Sequence, residues 1–351
     1  MKNVRLKWID TLKMIGAGGV FLCHFLSGFS YESRPNAVDF LLSGIANGEF
    51  WVCVFCVLSG YLLSKKRVQS IKELIQVVVA RYFRFMLPLL FINTAVWVIT
   101  KIDGFYSAQL GQALGNGFLA SSFTSSYDIL DVLKYSLVMS KQMNRVFWVI
   151  RHMFAASCLI YSVNYLETKI DNNRIVFLIR VVANCVCLMT PYTFFIGVCL
   201  LGGWLDLERN RLRVPRSVSD ILLVFAIAMQ FAVQDILASL LLIEGIVMNQ
   251  YWEVLWTFLI LYGITKNDSL QGFLNSAPFP EKSNTSMTVY LTHWPLMCSI
   301  GAGFMNNFMV RGVDYLTSWM LTLLLVMAVQ YLAVILWDKA IEPIIVTLFY
   351  K

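Results

Sequence analysis

Apolar residues recur along this chain in unbroken runs of about 20, separated by short polar stretches. Ten runs stand out, at approximately 12–29, 49–64, 85–101, 146–166, 175–190, 192–206, 218–236, 251–266, 286–306 and 317–338, and each predicts a membrane-spanning helix. The expected fold class is therefore all-α: a polytopic membrane protein with about ten transmembrane helices. The fifth and sixth runs are divided only at Thr190-Pro191. The apolar segment 237–248 is short enough to be re-entrant or an extension of the seventh span. Between the third and fourth runs lies a long interval, 102–145, with Gly104, Gly111, Gly115 and Gly117, a Ser/Thr-rich patch at Ser121–Ser126, and an apolar piece, Tyr127–Met139, suited to the membrane interface. A connection of this length is commonly functional, and it could cap an outward-facing cleft. No repeat, linker or low-complexity stretch breaks the chain, so a single membrane-embedded domain over 1–351 is expected.

Composition agrees. Apolar residues make up 58 % of the chain and charged residues 14 %, against about 25 % charge in ordinary globular domains. Mean hydropathy is +0.67. With both termini cytoplasmic, the inside segments hold 20 of the 28 lysines and arginines, in clusters at Lys2/Arg5/Lys7/Lys13, Lys65/Lys66/Arg67/Lys72/Arg81/Arg84 and Arg209/Arg211/Arg213/Arg216. The net charge of +7 thus reflects topology. No basic run is interleaved with aromatics in a soluble segment, so no nucleic-acid partner is expected. The first apolar run has the basic start of a signal-anchor without a clear cleavage site, and no soluble domain is expected after the last span. All eight cysteines fall in apolar runs. Cys53-x-x-Cys56 lacks a second pair and is read as packing. None of the three histidines stands three or four residues from another, so no metal site is expected.

Against this apolar background three features carry chemistry. His24 lies in the middle of the first run, eleven residues after Lys13, roughly 16 Å along a helix. An ionisable group at that depth costs several kcal/mol (roughly 3 or more) unless it faces a cavity or a partner. Ser59-Gly60 in the second run permits close approach of another helix backbone. Arg81 and Arg84, spaced i, i+3, share a helix face at the cytoplasmic start of the third run. They suit either a basic collar or a clamp for a phosphorylated ligand.

The ordered set of segments resembles the acyltransferase 3 family of integral membrane acyltransferases. It comprises Asp10-Thr-Leu-Lys13, the ten residues from there to His24, Phe55-Cys-Val-Leu-Ser-Gly-Tyr-Leu62, Arg81-x-x-Arg84 followed by Pro88, and Ser286-Met-Thr-Val-Tyr290-Leu-Thr-His293-Trp-Pro295. There are departures: Lys13 replaces the usual arginine, Cys56 stands where an aromatic is common, and Trp148-Val-Ile-Arg151 lacks a following acidic residue.

The resemblance implies transfer of an acyl group, commonly acetyl from acetyl-CoA, to a polysaccharide or lipid-linked glycan acceptor across a bacterial cytoplasmic (inner) membrane. The donor's phosphates would meet Lys13, Arg81 and Arg84 from the cytosol, with Ser59 on the donor's path. His24 would act as general base or transient acyl carrier. Glu49, preferred over Asp39, would orient His24 or grip a sugar. His293 would line the donor channel or bond Ser286 or a backbone carbonyl. Trp148 would contact the acceptor, and Arg151 and His152 would contact the acceptor sugar or a lipid-linked pyrophosphate or else form a snorkelling pair at the interface. The alternative class is a polytopic transporter or flippase, although the paired broken helices of such proteins are not evident.

Overall fold

Each apolar run has a helix beneath it in the computed structural model, which describes residues 6–30, 45–211, 215–230, 246–278 and 285–349. In chain order the helices are α1 (Lys7–Phe29), α2 (Gly48–Ser64), α3 (Ile71–Lys101), α4 (Ser107–Leu114), α5 (Gly117–Ala120), α6 (Ile129–Leu137), α7 (Trp148–Glu167), α8 (Asn173–Met189), α9 (Phe194–Arg211), α10 (Arg216–Ala228), α11 (Ile246–Lys266), α12 (Asp268–Ser276), α13 (Thr285–Leu296), α14 (Ala302–Val310), α15 (Tyr315–Leu336) and α16 (Glu342–Phe349). Among the described residues there is no strand.

By length and composition, four helical segments can cross a membrane: Lys7–Phe29, Ile71–Lys101, Arg145–Glu167 and Tyr315–Thr347. Gly48–Ser64 and Phe194–Leu205 are apolar but shorter. The count of ten therefore remains an expectation. The segment 237–245, with Glu244, and residues Asp235 and Asp39 lie outside the described residues. The break expected at Thr190-Pro191 falls between α8 and α9. Helix α3 begins 14 residues before the predicted run, because Ile71–Arg84 continues the helix while carrying charges that no membrane core would hold.

The chain packs as two compact units, each discontinuous in sequence. The first contains Met1–Gly16, Ser43–Arg81 and His152–Ser283. Its tightest feature is the α2–α9 contact. A Cβ on Gly60 would overlap the Cys199 carbonyl, and one on Gly202 would overlap the Val57 carbonyl. These glycines let the two backbones touch, as the Ser59-Gly60 pair predicts. Asn47 caps α2, accepting from the Phe50 amide at 3.0 Å, and donates to the buried Glu253 at 2.8 Å.

The second unit contains Ala17–Leu42, Tyr82–Arg151 and Asn284–Lys351. Its α15 is built inside-out. Ser318, Thr322, Val326, Gln330 and Val334, four residues apart, are buried, while Leu324, Tyr331 and Leu336 are exposed. Thr322 donates to the Ser318 carbonyl at 2.6 Å within the helix, and Gln330 Nε2 donates to Thr292 Oγ1 of α13 at 2.7 Å, while Gln330 Oε1 has no hydrogen-bond partner among the described residues. A polar stripe inside and apolar side chains outside is the arrangement that lipid demands. After Pro295, which cannot donate to the helix ladder, residues Met297–Gly301 widen into a π turn before α14.

Candidate active site

Three tethers in the second unit build a cleft around His24. Asn116, N-cap of α5, donates to the Ser27 and Ser30 carbonyls at 2.7 and 3.2 Å, and its Oδ1 accepts from the Leu119 amide at 2.9 Å. That ties α5 to the end of α1 and sets Phe118 beside His24. Cys298, within the π turn, accepts from the Tyr106 amide at 3.0 Å and anchors the start of the long connection. The Tyr290 hydroxyl bonds the Val146 carbonyl and fixes the connection's far end.

The resulting cleft has a volume of about 410 Å³. His24, Phe118, Trp148 and Trp294 supply its aromatic wall. Ser121, Ser122, Thr124, Ser125, Gln142, Lys141 and Arg145 supply hydroxyl, amide and cationic groups. The cleft thus presents hydrogen-bonding and cationic groups on one part of its lining and aromatic rings on another. The long connection between the third and fourth runs does form a cleft, as its length and composition suggest.

His24 is half-buried, stacks on two rings and meets a third at a tilt. Its centroid lies 6.0 Å from Phe118 with an interplanar angle of 5°, 5.2 Å from His293 at 24°, and 5.4 Å from Trp294 at 49°. Among the described residues no group hydrogen-bonds to its ring nitrogens. His293 is 0 % exposed, and its Nδ1 lies 3.1 Å from the Val289 carbonyl. A carbonyl only accepts, so Nδ1 carries a proton, and Nε2 has no hydrogen-bond partner among the described residues. His293 thus makes the backbone-carbonyl bond, one of the alternatives read from its sequence. Its stacking on His24 had no sequence signal.

Other expected site residues stand elsewhere. Trp148 lines the cleft, whereas Arg151 is exposed and His152 is half-buried against Phe195, with centroids 6.3 Å apart. Neither Arg151 nor His152 lines the His24 cleft. Glu49 belongs to the first unit, where it is exposed and hydrogen-bonded to Gln250. Ser59 is buried beside the α2–α9 contact. Arg81 donates from Nε to Ser157 Oγ at 3.1 Å, Arg84 is exposed on α3, and Lys13 is half-buried on α1. Sequence reading missed Lys141 and Arg145. Their only signal was their position in the connection that carries the Ser/Thr-rich patch.

The first unit has a cleft of its own, of about 660 Å³. Among the described residues it is lined by Lys66, Arg67, Lys169 and Arg180, with Asn164 and one carboxylate, Glu167, which is ion-paired to Arg180. Lys13, Arg81 and Arg84 do not line it.

His24 thus combines three features: among the described residues its ring nitrogens have no hydrogen-bond partner, its helix is long enough to span a bilayer, and it lines a hydroxyl-rich cleft. The acyltransferase domain family model, Acyl_transf_3, matches residues 6–338; the chain belongs to that family and is a membrane acyltransferase. No curated protein and no solved structure was found to match it. Family membership sets acyl transfer above the transporter reading.

Proposed function

We propose that the chain is a multi-pass O-acetyltransferase of a bacterial cytoplasmic membrane. It moves an acetyl group from cytosolic acetyl-CoA to a hydroxyl of a cell-surface or exported polysaccharide or its lipid-linked precursor. The whole of 1–351 serves as one catalytic domain in this reading. The observation that carries it is His24, whose ring has no hydrogen-bond partner among the described residues and which lines a cleft of hydroxyl, amide and cationic side chains.

Neutral His24 takes the proton of the acceptor hydroxyl as the oxygen bonds to the thioester carbonyl carbon. The tetrahedral intermediate collapses, the C–S bond breaks, and the imidazolium returns the proton to the departing sulfur. The products are an acetyl ester and free CoA. His293 holds the floor beneath this ring.

On the donor side, Lys13, Arg81 and Arg84 are assigned to the phosphates from the sequence pattern. The Lys66–Arg67–Lys169 cleft joins them on account of its lining. With both termini cytoplasmic, its loops face the cytosol. Glu49 is proposed to grip the acceptor rather than orient His24, because its hydrogen bond goes to Gln250. Arg151 and His152 are proposed as peripheral acceptor contacts and Trp148 as a wall for the sugar face.

Purified protein in nanodiscs, given radiolabelled acetyl-CoA and glycan extracted from the source cells, is expected to yield a labelled ester. His24→Ala should lower the rate by about 100-fold or more, the scale of a lost general base, with an unchanged gel-filtration profile. Full activity in that variant overturns the role of His24. Accumulation of acetyl on His24 without acceptor would assign it the carrier role instead.

A further inference from the structure

Resting on the acyl-acceptor reading of the His24 cleft, the geometry points to an acceptor sugar that carries an anionic group, a carboxylate or a phosphate, near the hydroxyl to be acylated. Two cationic side chains, Lys141 and Arg145, line the cleft, and among the described residues that line it none is acidic. The neighbouring Asp128 and Asp131 are occupied with each other's backbone in the capping box of α6.

Arg145 is held in place rather than waving in solvent. Its Nη1 donates to the Phe118 carbonyl at 3.1 Å and to Ser121 Oγ at 3.0 Å, and its guanidinium lies 4.9 Å from the centre of the Phe118 ring. Phe118 in turn stacks on His24. One aromatic ring is therefore the shared neighbour of the fixed cation and the proposed base. The bonds to Nη1 leave Nε and Nη2 for an oxyanion, and a guanidinium fork fits a carboxylate or phosphate in a definite orientation. Lys141, exposed at the same cleft, adds a second charge without fixed geometry. A neutral sugar would leave both cations unanswered inside a cleft otherwise built of hydroxyls and rings.

The test uses the full chain in phosphatidylcholine nanodiscs, which offer no net anionic lipid. Saturation-transfer NMR would compare glucuronate, glucose 1-phosphate and glucose as probes. At least one anionic probe should bind at least tenfold more tightly than glucose. Lys141→Met, a change at an exposed position, should reduce that preference at least threefold, with Lys141→Arg restoring it. Arg145→Met should reduce the preference as well. A response to glucuronate identifies an acidic sugar as the acceptor class, and a response to the phosphate alone identifies a sugar phosphate. Equal binding of glucose, no binding of either anion, or a preference unchanged in both methionine variants overturns the inference. His24→Ala should lower acetyl transfer by about 100-fold or more yet keep the anion preference. Failure of the acyl-transfer reading and failure of this inference therefore appear in separate measurements.

Discussion

A histidine that glued helices together would spend its nitrogens on neighbours; among the described residues His24 meets its neighbours only through ring contacts. Its surroundings are shaped by small residues as much as by aromatic ones. A Cβ on Gly28 would stand 3.1 and 3.3 Å from two ring atoms of Trp294, so the glycine sets how closely that wall approaches α1. Gly28→Ala should displace Trp294 by a few tenths of an ångström. Misplacement on that scale is expected to lower acetyl transfer roughly tenfold. Gly18→Ala, on the same helix with nothing within 4 Å of its Cβ, should leave the rate unchanged. Steady-state rates of the two variants decide the point, and equal rates would remove Trp294 from the site. His24 was legible in the sequence because an ionisable group in an apolar run has a cost that demands a use. Its partners were not legible. His293 and Phe118 reach it through packing between distant segments, and no local pattern encodes that.

Two elements turn on single residues. The α2–α9 contact depends on Gly60 and Gly202, where an added methyl would meet backbone rather than a movable side chain. Gly60→Ala is expected to destabilise the protein by about 1–3 kcal/mol, outweighing the roughly 1 kcal/mol that alanine gains over glycine in a helix. Gly203→Ala meets neighbours at an ordinary 3.6 Å and should be neutral or stabilising. Thermal unfolding of detergent-solubilised protein separates the two, and equal melting temperatures would show that the helices do not touch as described. At the start of α15, Asp314 accepts from the Thr317 amide at 3.0 Å. Hydrogen bonds from Thr317 hold its carboxyl below the usual carboxylate range. A depressed pKa contributes stability that is fully present above the unfolded-state value of about 3.9 and is lost as pH falls through the lower folded value. The protection factor at the first turn of α15, exchange measured against the intrinsic rate at each pH, should therefore be flat from neutral pH down to about 5, and then fall in acid. Asp314→Asn, a cap without a titrating group, should lack that step. The break near Pro191 and the close approach at Gly60 could be read from residue type, because proline and glycine act locally. The early start of α3 could not, since hydropathy reports what lipid tolerates and not where a helix begins.

For the whole molecule, the distribution of charge and the exposure of apolar surface point to the same environment. Tyr331 on α15 is 67 % exposed while Gln330 beside it is 6 % exposed, an inversion that would be costly in water. The basic residues add a direction that the helices alone lack. If both termini are cytoplasmic, the connection that builds the His24 cleft faces outward, and the loop between α7 and α8, next to the Lys66–Arg67–Lys169 cleft, faces inward. That assignment is what makes the proposed chemistry a reaction across the bilayer. It can be tested without any substrate. In a background with the eight native cysteines replaced, Ser126→Cys and Asp171→Cys place single thiols at exposed positions in these two regions. A membrane-impermeant maleimide should label Ser126→Cys in intact cells and Asp171→Cys only after lysis. The reverse pattern would put the hydroxyl-lined cleft in the compartment that holds acetyl-CoA. His24 could then act on a cytosolic acceptor, but transfer to a glycan on the far side would have no route through this cleft.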